Sequence, residues 1–291
     1  MLVTLNEILK LAEDKKCAIG SFNTPNTASI MAVVEAGEAL NVPVILMHAQ
    51  VHEPLAPLDI IGPAMLGAAK AAKVPVCVHL DHGETVDYVK RAIDIGFTGV
   101  MFDGSLLPYD ENVAGTKAVV AYAHQAGVSV EAEIGVLGKR ETGLPENEKV
   151  EAPQEVYTNP EDAAMFVEET GIDALACSFG TAHGLYLKKP KLDFTVLDGV
   201  RAKVNLPLVM HGGSGVSEED YRIVISKGIR KVNYYTYMGK AGGEHVQELM
   251  KENLQRETPL PVYFHDLEFA AKDAMKANAM KALEIFNRRD I

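Results

Sequence analysis

Short apolar, β-branched runs recur along the chain and alternate with segments of helical periodicity almost without a break. Eight runs read as strands, at 17–23 (CAIGSFN), 42–49 (VPVILMHA), 74–81 (VPVCVHLD), 99–104 (GVMFDG), 128–135 (VSVEAEIG), 172–179 (IDALACSF), 206–212 (LPLVMHG) and 229–236 (IRKVNYYT). Between them, 27–40, 59–72, 85–95, 111–126, 160–170, 192–204 and 217–227 carry apolar residues at helical spacing. Several of these segments stop at a glycine, as at Gly96, Gly127, Gly171 and Gly228. Eight strands alternating with helices is the count of a closed α/β barrel, the (β/α)8 or TIM barrel. A doubly wound sheet would ask for Gly-x-Gly-x-x-Gly after its first strand, and that strand here ends in SFNTPN. Residues 240–291 add helical material, including EFAAKDAMKANAMKALEIF, expected as extra C-terminal helices packed on the barrel. The whole of 1–291 therefore reads as one TIM-barrel domain. The long irregular stretch 135–159 follows the fifth strand, where it would overlie the catalytic face as a lid.

Composition narrows the class of partner. A length of 291 residues with 47% hydrophobic and 23% charged residues suits a globular protein with a sizeable core. The formal charge of −12 speaks against nucleic acid or an anionic membrane surface. It leaves room for a phosphate held by backbone N–H groups and one or two lysines. The opening MLVTLNEILKLAEDKK is an amphipathic helix with mixed charges rather than a signal peptide, and no apolar stretch reaches membrane-spanning length. A cytoplasmic location is expected. Cys17, Cys77 and Cys177 lie in apolar runs, as buried thiols in a reducing compartment would.

Three histidines stand where strands should end: His82 in VCVHLDHG, His183 in ACSFGTAHG and His211 in LPLVMHGGSG. A barrel brings the carboxyl ends of its strands together, and three neutral imidazoles there can hold a zinc ion with one position open. Asp81 precedes the first histidine. Asp103 closes the fourth strand, and Glu131 and Glu133 share one face of the fifth. Carboxylates on apolar strands are costly to bury unless paired or metal-bound, so these are expected to hold the ligands or a second cation. The alternative is an internal ion pair with a barrel lysine, and Lys231 on the eighth strand is the obvious candidate for a Schiff-base lysine. His48 ends the second strand as a candidate substrate contact, and His79 lies one layer deeper than Asp81. Gly212-Gly213-Ser214-Gly215 after the seventh strand and Gly180 to Gly184 after the sixth can let backbone approach an anion.

The ordered set SFNTPN, VHLDHG, VMFDGS, EAEIG, GTAHGLY, VMHGGSG and KVNYYT resembles the class II, metal-dependent ketose-bisphosphate aldolases, of the fructose- and tagatose-1,6-bisphosphate type. The resemblance implies a zinc-dependent barrel, a homodimer or homotetramer, with His82, His183 and His211 as zinc ligands. It implies Asp103 and Glu133 around the metal or at the position of a second or monovalent cation. Asp81 would exchange the proton of the C4 hydroxyl, and Glu141 in the loop would exchange the C3 proton of dihydroxyacetone phosphate. Asn23 and Asn233 would contact substrate, and Gly184, Gly212, Gly213, Ser214 and Thr236, with Lys188 nearby, would hold the ketone-side phosphate. The implied reaction is reversible cleavage of fructose 1,6-bisphosphate to dihydroxyacetone phosphate and glyceraldehyde 3-phosphate. Tagatose 1,6-bisphosphate or another phosphorylated sugar is the alternative within the class, and a metal-dependent barrel hydrolase is the alternative outside it.

The chain departs from the family pattern at three places. After the second strand it reads Met47-His48-Ala49 where a Gln-x-Ser segment is common, which bears on the aldehyde half of the substrate. Lys139-Arg140 replaces paired glycines before Glu141, and Tyr237 follows Thr236 where an acid is common.

Overall fold

The computed structural model describes residues 1–141, 156–186 and 189–287, with the side chains of 138–141 left outside that description. Its elements in chain order are α1 (Leu5–Lys15), β1 (Ile19–Asn23), α2 (Thr27–Leu40), β2 (Val44–Ala49), α3 (Leu58–Ala71), β3 (Val76–Gly83), α4 (Val86–Ile95), β4 (Gly99–Phe102), α5 (Tyr109–Gln125) and β5 (Ser129–Ile134). There follow β6 (Gly138–Glu141), α6 (Pro160–Thr170), β7 (Ala174–Cys177), β8 (Ala182–Gly184), α7 (Phe194–Lys203), β9 (Leu208–Met210), α8 (Glu218–Ser226), β10 (Ile229–Tyr234), α9 (Thr236–Leu254) and α10 (Phe264–Phe286). Eight strands close into a parallel barrel in the order β1-β10-β9-β7-β5-β4-β3-β2. Each expected strand lies within its predicted run apart from β3, which runs on to Gly83, and each expected helix is present within a few residues.

Helix boundaries follow local chemistry. Thr4 and Glu7 form a reciprocal capping box at the start of α1, and Asn159 caps α6 with Pro160 at its first position. Gly96 and Gly171 end α4 and α6 in the left-handed region. Apolar side chains then sort into two cores. Leu5, Ile8 and Leu9 of α1 pack with Ile19, Ile45, Cys77 and Val209, so α1 stops the amino-terminal mouth of the barrel. The larger core lies between the outer faces of the strands and the ring of helices. Each buried aliphatic side chain contributes about 1.5–3 kcal/mol there. α10 returns to the barrel, where Lys272 and Lys276 meet Glu35 of α2 at 2.9 and 3.0 Å and the carbonyl of Phe286 accepts from the N–H of Ala18. No helix among the described residues is long and apolar enough to cross a membrane.

One pair of strands was not foreseen. β6, the first part of the loop after β5, pairs in parallel with β8, so Gly138 lies beside Ala182 and Glu141 beside Gly184. GKRE and AHG have no strand-like apolar pattern, and only the meeting of two neighbouring loops makes them strands. The remainder of the expected lid, 142–155, lies outside the described residues.

The end of β3 is constrained by close packing. The β3–β4 register shifts between Leu80 and Gly83, and Gly83 sits so tightly that a Cβ would come within 2.7 Å of the Met101 carbonyl oxygen and 2.5 Å of Val89 Cγ2. A backbone carbonyl in a barrel cannot yield. Gly83→Ala is therefore expected to destabilise the fold by about 1–3 kcal/mol, read as a lowered urea midpoint at unchanged slope. Unchanged stability would refute this account of the strand end.

Candidate active site

The carboxyl end of β3 places Asp81 and His82 in consecutive positions. Asp81 points into the barrel mouth from a regular strand conformation, but His82 has φ of +45°. The other described non-glycine residues with positive φ, Lys16 and Asn41, are both helix C-caps. A histidine in that region inside a strand is strained, and such strain persists only where surrounding contacts enforce it. Here they do. His82 Nδ1 lies 2.6 Å from Asp103 Oδ2, and Asp103 is itself fixed by the Ser105 hydroxyl at 2.7 Å.

His211 follows β9 and is fully buried. Its Nε2 meets Glu131 Oε1 of β5 at 2.8 Å. An ionised carboxylate only accepts, so His82 carries its proton on Nδ1 and His211 on Nε2. When the rings are neutral, the opposite nitrogens present lone pairs. His82 Nε2 stands 2.9 Å from His211 Nδ1 and 3.2 Å from His183 Nε2. Two bare lone pairs so close would repel, so this point calls for positive charge, either a proton between the rings or a cation among the three nitrogens. Three nitrogens on a tetrahedral zinc with Zn–N bonds of 2.0–2.1 Å would lie roughly 3.3 Å apart, close to the spacing present. The donor set fits zinc in kind as well, being three imidazoles with outer carboxylate partners.

The electrostatics favour positive charge at the same point. Burial alone would lower the pKa of His82, but Asp81, Asp103 and Glu133 outweigh it and push the imidazole up to about 10. Burial and the charge on His82 hold His211 well below the usual histidine range. Burial pushes the Glu133 carboxyl well above its usual range, with Asp103 adding to the effect. Glu133 Oε2 is buried without a hydrogen-bond partner, 3.6 Å from His211 Nδ1. With His82 and Asp103 it makes a second three-donor group whose atoms lie within 4.8 Å of one another.

Asp81 is held from both sides. Asn23 at the end of β1 donates to its Oδ2 at 3.0 Å, and Asn233 on β10 donates to its Oδ1 at 2.9 Å. Burial would raise its carboxyl, but His82, His211 and Lys231 overcome that and hold it below the usual aspartate range. The side chain is therefore an oriented carboxylate beside the triad.

A cavity of about 230 Å³ opens over these groups and is lined by Asn23, Asp81, His82, His183, Gly184, Gly212, Ser214, Asn233 and Thr236 among others. Nine residues singled out from sequence thus share one wall. Asp103 and Glu133 stand behind it. Gly213 is not part of the cavity wall, and its N–H is donated to the Asn233 carbonyl at 3.0 Å. His48 turns outward from β2 to meet the Tyr88 hydroxyl at 3.1 Å and is absent from the cavity wall. Lys188 and the side chain of Glu141 lie outside the described residues.

The cavity also holds residues the sequence did not single out as a group: Ala49, Val51, His52 and Tyr235. They lie at or just after the ends of β2 and β10, and the rule that strand ends face the site would have included them. Tyr186 was missed too. Its hydroxyl donates to the Gly212 carbonyl at 2.8 Å and accepts from the Ala182 N–H at 2.7 Å, tying the two glycine loops together. Lys231 is fully buried against Glu131, outside the cavity lining, which excludes it as a Schiff-base lysine.

Comparison with known proteins agrees with this geometry. The family model described as Fructose-bisphosphate aldolase class-II matches residues 3–290. A fructose-bisphosphate aldolase of Staphylococcus aureus is 36% identical over 278 residues, covering 94% of this chain and 95% of that protein. Among solved structures, the YdjI aldolase from Escherichia coli K12 superposes with a TM-score of 0.82 at 32% identity, covering 98% of this chain and 97% of that one. The fructose-bisphosphate aldolase of Campylobacter jejuni superposes with a TM-score of 0.80 at 25% identity, covering 98% and 95% of the two chains. The hydrolase alternative is thereby set aside in favour of a lyase. A parallel eight-stranded barrel, a histidine triad at its mouth and a match along nearly its whole length place the chain in the class II fructose-bisphosphate aldolase family.

Proposed function

We propose that this protein catalyses the zinc-dependent, reversible aldol cleavage of a ketose 1,6-bisphosphate to dihydroxyacetone phosphate and an aldehyde. Fructose 1,6-bisphosphate, which yields glyceraldehyde 3-phosphate, is the leading substrate, and tagatose 1,6-bisphosphate is the alternative. The observation that carries this reading is Asp81, oriented by two amides, beside three imidazole nitrogens aimed at one point.

His82, His183 and His211 would hold the zinc ion, which supplies Lewis-acid stabilisation of the negative charge developing on substrate oxygens. Asp81 takes the proton of the C4 hydroxyl as the C3–C4 bond breaks, and C4 leaves as the aldehyde carbon. The electron pair of that bond stays on C3, and Glu141 returns a proton there. The pairing of Glu141 beside Gly184 supports this role, because it brings the stem of the loop to the cavity rim. A carboxylate on a closing loop also shields the reacting carbon from water.

The phosphate assignment rests on the start of α9. That helix begins at Thr236, its N-cap Tyr235 makes no side-chain capping bond, and its first turn holds no acid. First-turn N–H groups of an uncapped helix attract anions, and Ser214, Gly212 and Gly184 share the cavity wall with Thr236. Ala49 is the register partner of Asp81, so the aldehyde half faces Ala49, Val51, His52 and Tyr235. This wall would discriminate epimers at C4. Leu254, Phe264 and Phe269 at the far end of the α9–α10 pair are 70%, 76% and 62% exposed, which supports the homo-oligomer reading.

Cleavage of fructose and tagatose 1,6-bisphosphates is expected to stop after EDTA treatment and to return with added zinc, in a coupled assay of triose phosphate. Activity untouched by chelation would refute the metal-dependent mechanism. Asp81→Ala should lower kcat by about 10²–10⁴-fold with zinc content unchanged by elemental analysis. Glu141→Ala should leave zinc bound while slowing tritium or deuterium exchange at C3 of dihydroxyacetone phosphate, and wild-type exchange would remove Glu141 from the mechanism.

A further inference from the structure

One step below the cavity floor lies a charged group that the reaction does not touch. Lys231 on β10 is fully buried inside the barrel, two residues before Asn233 and on the same strand face. Its Nζ stands 2.9 Å from Glu131 Oε2 and 3.3 Å from Glu131 Oε1, and donates to Asn233 Oδ1 at 2.7 Å. Both acceptors reach onward to the active site. Glu131 Oε1 accepts from His211 Nε2 at 2.8 Å, and Asn233 Nδ2 donates to Asp81 Oδ1 at 2.9 Å. A continuous chain therefore runs Asp81–Asn233–Lys231–Glu131–His211.

The direction of every bond in that chain follows from one fact: an ammonium can donate but cannot accept. The Asn233 atom facing Lys231 must be the carbonyl oxygen, so its NH₂ must face Asp81. A carboxamide with a neutral neighbour could flip and set its oxygen against the Asp81 carboxylate. Glu131, paired with the ammonium, stays an acceptor and keeps the His211 proton on Nε2, leaving Nδ1 free to act as a ligand. A shallower alternative is that Lys231 merely neutralises a buried carboxylate. That reading explains the 2.9 Å contact with Glu131 but not the 2.7 Å bond to Asn233.

Resting on the aldolase reading above, we propose that Lys231 is a positioning residue that fixes two functional groups at once: the amide that orients Asp81 and the imidazole His211. Through Glu131 it sets the lone pair offered to the metal, and through Asn233 it sets the acid/base that works on the C4 hydroxyl. Proton exchange at C3 of dihydroxyacetone phosphate needs the metal and the loop carboxylate but not Asp81. Overall cleavage needs all three, so the two activities separate the branches of the chain.

The test compares Lys231→Met with the paired variant Lys231→Met/Glu131→Gln. The pair removes both buried charges with little change of shape, a replacement that buried ion pairs often tolerate, so it gives a folded protein if the single variant does not. Zinc affinity is read by chelator competition on the purified protein, and cleavage and C3 exchange are read on zinc-saturated enzyme. Zinc affinity is expected to fall about 10–100-fold, the usual cost of disturbing a ligand's outer partner. At saturating zinc, cleavage is expected to fall at least about tenfold further than exchange, with substitution of Arg at Lys231 recovering part of the ratio. A folded paired variant with wild-type zinc affinity and a wild-type ratio of cleavage to exchange would overturn the proposal. Wild-type protein that catalyses neither reaction with zinc would instead overturn the aldolase reading.

Discussion

Two imidazole nitrogens, His82 Nε2 and His211 Nδ1, face each other across 2.9 Å, and His183 Nε2 lies 3.2 Å from the first. With both nitrogens unprotonated the approach would be repulsive, so it is favourable only around positive charge, a proton between the rings or a cation among the three. Each ring has its other nitrogen tied to a carboxylate, Asp103 for His82 and Glu131 for His211. Those bonds select the tautomer and fix the plane of the ring. His82 also accepts left-handed backbone geometry to reach the point, a strain worth on the order of 1–3 kcal/mol. A divalent cation at this point would turn these separate costs into one favourable cluster, because ligand lone pairs and outer carboxylates would then all face positive charge.

The same requirement explains the unusual interior of the barrel. Its mouth and the layer beneath hold Asp81, Glu131, Glu133, His79 and Lys231, all buried. Buried charges are costly when alone and balanced only when paired and hydrogen-bonded. Lys231 offsets Glu131, Asn23 and Asn233 satisfy Asp81, and the deeper layer returns to Ile19, Ile45, Cys77 and Val209 under the plug of α1. The buried ionisable groups thus gather towards the cavity side of the barrel interior, and largely apolar packing supports them from below.

Much of this was legible in the chain. The barrel could be counted because buried parallel strands and amphipathic helices leave distinct periodicities. The triad could be chosen because strand ends converge in such a barrel. His48 shows where that logic stops: it ends β2 as His82 nearly ends β3, yet successive residues of a strand face opposite ways, and His48 turns out toward Tyr88. Ala49 takes the inward position instead. Gly213 likewise sits in the glycine run but spends its N–H on Asn233, which no motif reveals. β6 and β8 escaped notice because their pairing depends on two loops meeting, not on composition.

By itself, the sequence determined the order of strands and helices, the three imidazoles, the neighbouring carboxylates and the glycine loops. These are properties of local periodicity and residue type, and they survive translation along a line. Only the tertiary structure decided which nitrogen of each histidine faces the centre, which way the Asn233 amide turns, and that Lys231 links both. The reason is physical. Tautomer, amide orientation and burial of charge are settled by partners brought from distant positions, such as Glu131 to His211 and Lys231 to Asn233 and Glu131, and by distances near 3 Å that exist only once the barrel has closed.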